Sequence, residues 1–183
     1  MGWAYSLALV ITVLVLPAVG SSSSCAPVNG GDTATVRPEV QVHDLDLDGD
    51  GENERVTLAP GRGGIVIVDG ATTYRSREKW TVIQAAIGDS DRDGNPEVVA
   101  LLEEPRGRRL GLIGWHAGRY HERLVSSLLI PKPLAITIRD DPAHGGTVVI
   151  VLEDPTVSGE GATTTYRWNG FGFTAVEGRG AGS

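Results

Sequence analysis

Two nine-residue segments constrain this chain more than anything else in it. Residues 46–54 read DLDGDGENE and residues 89–97 read DSDRDGNPE, and both fit D-x-D-x-D-G-x-x-E. Four or more carboxylates within nine residues repel one another unless a hard cation lies between them. Oxygen-only ligands with a Gly at the sharp bend suit Ca²⁺ better than a transition metal. Alternating apolar residues follow each closing Glu, Val56 and Leu58 in the first case and Val99 and Leu101 in the second. That period of two predicts a half-buried strand leaving each loop. The pattern recurs, so each loop belongs to a repeating unit.

The composition agrees with strands and turns. The 183 residues amount to about one domain on a prior of roughly 100–200 residues each. There are 25 Gly and 10 Pro, which favour short strands over long helices. A formal charge of −7 argues against nucleic acid or an anionic membrane surface as partner. Two bound Ca²⁺ ions would cancel four of those seven charges, so the acidity needs no basic partner.

The first charged residue is Asp32, and the chain is largely apolar from Trp3 to Val19 before a serine run, Ser21 to Ser24. This reads as an export signal over 1–24, although no Lys or Arg precedes the apolar run. Cys25 then stands where a bacterial lipoprotein carries its lipid-modified cysteine, with Ser22 in place of the usual Leu three residues before it. The alternative is a signal peptide cut near the serines, leaving a free thiol. Gly2 and Ser6 also fit a loose myristoylation pattern, read as accidental ahead of an export signal. With one Cys no intramolecular disulfide can form, and calcium is the obvious substitute staple. Residues 25–38 read as a tether, 39–177 as the folded domain and 178–183 as a flexible tail.

Within the domain a unit of roughly fifty residues occurs three times. Each opens with an apolar strand (Val40–Val42, Val82–Ile87, Leu134–Ile138) and continues through a turn or aspartate loop into a second (Arg55–Leu58, Val98–Leu102, Thr147–Leu152). Each closes with a hairpin whose turn glycine is Gly70, Gly118 or Gly170, spaced by 48 and 52 residues. Asp69-Gly70 and Asn169-Gly170 are two-residue turn signals of the type I′ kind. Trp115 with Tyr120 and Trp168 with Phe173 are placed to pack across those hairpins, as core aromatics rather than ligand platforms. Four strands per unit, repeated, suggest a β-propeller blade. The loop-then-strand wording is similar to FG-GAP/VCBS repeats, the calcium-bearing blades of integrin-type propellers and of many exported bacterial proteins. The resemblance spans about residues 39–177 and is specific at the two loops. It implies an all-β fold of about three four-stranded, propeller-like blades, forming an open arc or a ring completed by a second chain.

In the second loop Asp89, Asp91 and Asp93 take positions 1, 3 and 5, Gly94 makes the bend, Asn95 offers a carbonyl and Glu97 closes the cage. The first maps as Asp46, Asp48, Asp50, Gly51, the carbonyl of Glu52, and Glu54. A register from Asp44 to Glu52 also matches but would misalign the following strand, so Asp44 is expected to face solvent from a strand. An EF-hand loop is excluded, since it closes at position 12 and lies between helices. The third unit has Asp140, Asp141 and His144 out of pattern and is assigned no ion.

Catalytic patterns are absent: no G-x-S-x-G, no H-E-x-x-H and no phosphate-binding glycine loop. His43, His116, His121 and His144 are scattered. Glu103-Glu104 and Glu153-Asp154 are read as solvated strand ends, and Arg106, Arg108 and Arg109 as a hairpin tip. The expectation is a non-enzymatic, calcium-stabilised module at a cell envelope, contacting a protein or glycan. An accessory subunit or degenerate domain of an envelope hydrolase is the alternative.

Overall fold

Alternation of apolar and polar residues makes nearly every segment of the domain a strand, and a computed structural model of the chain contains 13 of them among the described residues. Residues 39–144, 146–153 and 162–176 are described. The export signal, the tether with Cys25 and the 178–183 tail lie outside them. The strands are β1 (Gln41–Leu45), β2 (Glu54–Leu58), β3 (Gly61–Arg62), β4 (Ile65–Asp69), β5 (Thr72–Arg75), β6 (Thr81–Gly88), β7 (Glu97–Glu104), β8 (Gly107–His116), β9 (Arg119–Val125), β10 (Pro133–Asp141), β11 (Gly146–Glu153), β12 (Thr163–Trp168) and β13 (Phe173–Val176). One 3-10 turn, Pro142–His144, is the only helical piece among the described residues. None of these elements is a helix long and apolar enough to cross a membrane.

The strands form three antiparallel sheets, in the orders β1-β2-β4-β5, β3-β6-β7-β8-β9 and β10-β11-β12-β13. The middle sheet thus has five strands rather than the expected four. Its extra member, β3, comes from the β2–β4 connection and pairs Gly61 with Val82 and Arg62 with Thr81. Gly64 makes that excursion possible, because a Cβ there would stand 2.0 Å from the Ala59 carbonyl oxygen.

Two apolar cores separate the three sheets. Val56, Leu58, Ile65 and Ile67 of the first sheet pack with Val98, Ala100 and Leu102 of the middle one. Val99, Leu101, Leu110 and Leu112 of the middle sheet pack with Ile136, Val149 and Val151 of the third. Strand β7 feeds both cores in alternation, which is why it reads as an unbroken apolar run rather than an alternating one. Following the closing Glu, Val56 and Leu58 face the middle sheet, just as Val99 and Leu101 face the third. Each sheet therefore presents the same face to the next.

The hairpin aromatics join these cores. Trp115 and Tyr120 are cross-strand partners with ring centroids 4.9 Å apart, and Trp168 and Phe173 are partners at 5.4 Å. The turns differ from expectation. Asp69 pairs with Thr72, so Gly70-Ala71 is the two-residue turn. Trp168 pairs with Phe173 around a four-residue turn, closed by Asn169 Oδ1 accepting the Phe171 and Gly172 amides. The side chain of Asn169 replaces the backbone geometry its sequence suggested. Among the described residues, only at Ala117-Gly118 do two successive residues take positive φ, 52° and 79°.

Candidate metal centre

The connections β1–β2 and β6–β7 are the two aspartate loops, and they fold alike because their side chains cap their own backbones. The position-1 carboxylate accepts the position-6 amide: Gly51 to Asp46 at 2.9 Å, Gly94 to Asp89 at 3.2 Å. Position 3 accepts position 5 (Asp50 to Asp48, 3.1 Å; Asp93 to Asp91, 3.2 Å). Position 5 accepts position 7 (Glu52 to Asp50, 2.8 Å; Asn95 to Asp93, 2.9 Å). The closing Glu accepts the position-2 amide: Leu47 to Glu54 at 2.6 Å, Ser90 to Glu97 at 2.9 Å. This ladder of side chain to backbone bonds turns each loop inward so that its remaining carboxylate oxygens converge.

Gly51 and Gly94 occupy the bend with φ of 92° and 98°, as their place in the motif requires. A second left-handed position lies two residues earlier, at Gly49 (φ 79°) and Arg92 (φ 65°). Gly49 betrays it in the first loop, whereas nothing in the sequence marks Arg92. The strand pairing Leu45 with Glu54 and Asp44 with Arg55 fixes the register, and Asp44 is exposed on β1.

One carboxylate oxygen from each of Asp89, Asp91, Asp93 and Glu97 lies within 4.8 Å of all the others, and the same holds for Asp46, Asp48 and Asp50. Ca²⁺ holds oxygens at about 2.3–2.6 Å, so opposed ligands stand about 4.6–5.2 Å apart. Both groups can hold a metal ion on that measure. Asp89 Oδ1 is buried without a hydrogen-bond partner, a lone pair directed at nothing the protein supplies. Glu54 stands apart from its three aspartates and is engaged by Leu47. For Glu52 and Asn95 the structure records the amides donating into the loop.

Glu54 and Glu97 are 1% and 2% exposed, an unusual place for carboxylates. Burial pushes Glu97 well above the usual carboxylate range, and a hydrogen bond with Asp91 adds to the rise. Burial likewise raises Glu54 and Asp48, helped by the charge of Asp69 at the end of β4. A cation between these groups would reverse each effect.

Three participants were not visible in the sequence. Arg123 on β9 places Nη2 2.5 Å from Asp91 Oδ2 and Nη1 3.2 Å from Glu97 Oε1. Ser90, itself buried, donates its hydroxyl to Glu97 at 2.9 Å. Asp69 adds a further carboxylate near the first loop. Arg123 depends on a bulge and Asp69 on tertiary proximity, whereas Ser90 lies within the loop at a position the motif leaves open.

The loops lean on their neighbours in series. A Cβ at Gly49 would meet Asn95 Oδ1 at 2.6 Å, and one at Gly146 would meet Arg92 Cδ at 2.9 Å. The first loop thus abuts the second, and the second abuts the β10–β11 turn. At that turn Asp141 Oδ1 accepts the Ala143 amide, and no third acidic cluster forms among the described residues.

Elsewhere, the arginines after β7 are engaged at their own hairpin. Arg108 pairs with Glu103 at 3.1 Å and Arg109 with Glu104 at 2.6 Å. A groove of about 410 Å³ runs between β1, β6 and β10, lined by Gln41, Leu58, Val82, Gln84 and Leu134 among others. Gln84 crosses it, its amide donating to the Ile136 carbonyl and accepting the Ile136 amide, both at 3.0 Å. Comparison of the chain with protein-family models, with curated proteins and with solved structures gave no match.

Proposed function

We propose that this chain is an exported, non-enzymatic module whose aspartate loops bind Ca²⁺ and thereby hold together propeller-like blades of the FG-GAP/VCBS kind. The carrying observation is the ladder of four hydrogen bonds common to both loops, which converges carboxylates onto a point of Ca²⁺ size. Head-to-tail stacking of three sheets, each with its first strand beside the central groove, supports the blade reading. On this reading the ion is structural. At millimolar Ca²⁺ and a dissociation constant near 10⁻⁴ M, each site adds about 1.4 kcal/mol.

The module's partner is a protein rather than a glycan. The tryptophans that would stack on sugar rings are instead packed within their hairpins. Phe171, by contrast, is 93% exposed at the β12–β13 tip, on the same end of the sheets as the aspartate loops. Export and anchoring through Cys25 complete the proposal, with membrane contact only through that N-terminal segment.

Isothermal calorimetry of the chelator-stripped chain tests it. Ca²⁺ should bind, Mg²⁺ much more weakly, and Asp48→Asn should remove part of the heat. A chain that takes up no Ca²⁺ at millimolar concentration would sink the proposal.

A further inference from the structure

We propose that the two loops are unequal cation sites: loop 46–54 takes its ion readily, while loop 89–97 carries a built-in competitor, the guanidinium of Arg123. This rests on reading both loops as Ca²⁺ sites. The loop backbones differ little: they share four side chain to backbone bonds, and the first adds only the Gly49 amide to Asp46 Oδ1. What differs is the outer strand.

On β9 the pairing jumps from Leu124 with Leu112 to Glu122 with Ile113, leaving Arg123 as a bulged residue. A bulge breaks the period-two alternation and re-aims a side chain. Here it sends Arg123 into the second loop, where the side chain is 17% exposed. The guanidinium lies 2.5 Å from Asp91, 3.2 Å from Glu97 and 3.9 Å from Asp93. It therefore meets three of the four carboxylates that would ligate an ion. Gly114 makes the space, since a Cβ there would stand 2.9 Å from Glu97 Cγ and 3.5 Å from Arg123 Cδ.

The first sheet supplies no counterpart. Arg77 follows Tyr74 by three residues, as Arg123 follows Tyr120, yet Arg77 is engaged by Glu122 of the middle sheet. The hairpin brings Asp69 instead. The first loop thus has Asp46, Asp48, Asp50, Glu54 and Asp69 around it, and no ion pair reaches Asp46, Asp48, Asp50 or Glu54 among the described residues. The second has four carboxylates, three of them met by the guanidinium of Arg123. A divalent ion entering the second loop must displace Arg123 or lie beside its charge, and either weakens binding. Without metal, Arg123 holds the second loop closed, while nothing comparable holds the first.

Calorimetric Ca²⁺ titration of the full chain and of Arg123→Gln, with melting curves in chelator and in saturating Ca²⁺, tests this. The wild type should show two classes of site differing at least about tenfold, which is about 1.4 kcal/mol. Arg123→Gln should tighten the weaker class about tenfold or more and leave the stronger unchanged; Asp48→Asn should abolish the stronger. In chelator Arg123→Gln should melt below the wild type, and saturating Ca²⁺ should close the gap. Two equal classes, or a weaker class unmoved or loosened by Arg123→Gln, would overturn the competitor role. So would a variant that stays unfolded in saturating Ca²⁺, since the ion then cannot replace the guanidinium. A wild type that binds no Ca²⁺ at all overturns the underlying reading of the loops instead.

Discussion

At Gly51 and Gly94 a Cβ would touch nothing within 4 Å, yet φ stands at 92° and 98°. Any cost of Ala at either position is therefore backbone strain, about 1–2 kcal/mol. Gly64→Ala is a different case, because its Cβ would collide with backbone and the β3 excursion would have to shift. Urea unfolding should rank Gly64→Ala as the more damaging; equal costs would contradict this assignment of causes. Glu103 provides a pH handle away from the loops. Burial pushes its carboxyl up, but hydrogen bonds and charges from Lys132 and Arg108 outweigh that and hold it below 4.5. Its folded value is depressed, so its contribution to stability is present above about pH 4.5 and is lost as pH falls through the lower folded value. Glu103→Gln should lower stability at neutral pH and flatten that part of the acid stability profile, the variant and the wild type converging at low pH. Residue roles fixed by local chemistry were legible, as with the aspartates and the bend glycines. Arg123 was not, since its role depends on a bulge set by the pairing of its own strand, β9, with β8.

Among the elements, β7 couples the sheets most directly. Leu101 faces the core shared with the third sheet and Leu102 the core shared with the first, and both are fully buried. Leu101→Ala and Leu102→Ala should each cost about 2–5 kcal/mol. A one-sided sheet would make one of the two nearly free, and equilibrium unfolding of both variants separates the cases. Strand positions were legible from alternation and from the wording after each closing Glu, although β1 runs Gln41–Leu45 where Val40–Val42 was expected. The five-stranded middle sheet was not, because Gly61–Arg62 has no strand pattern and is recruited by the edge of β6. The Asn169-Gly170 turn misled for a related reason: a side chain that can cap a longer turn looks the same in sequence as one that starts a short turn.

Across the whole molecule, three sheets stacked in the same sense leave two unlike outer faces. Val68 is 37% exposed on the first sheet, and Leu152 is 38% exposed on the third. If a second chain completes a ring, light scattering should give twice the mass of the 19.3 kDa chain; a strict monomer would leave an open arc. The lack of disulfide partners for the single Cys makes cation binding the natural staple for the stack. The central claim is therefore that Ca²⁺ supplies a measurable part of the stability. Scanning calorimetry of the full chain in millimolar Ca²⁺ and then in excess chelator tests this most directly. One to two sites at about 1.4 kcal/mol each, with about 2–4 °C per kcal/mol at this size, predict a fall of about 3–12 °C on chelation. A melting temperature that is the same in Ca²⁺ and in chelator would contradict the account.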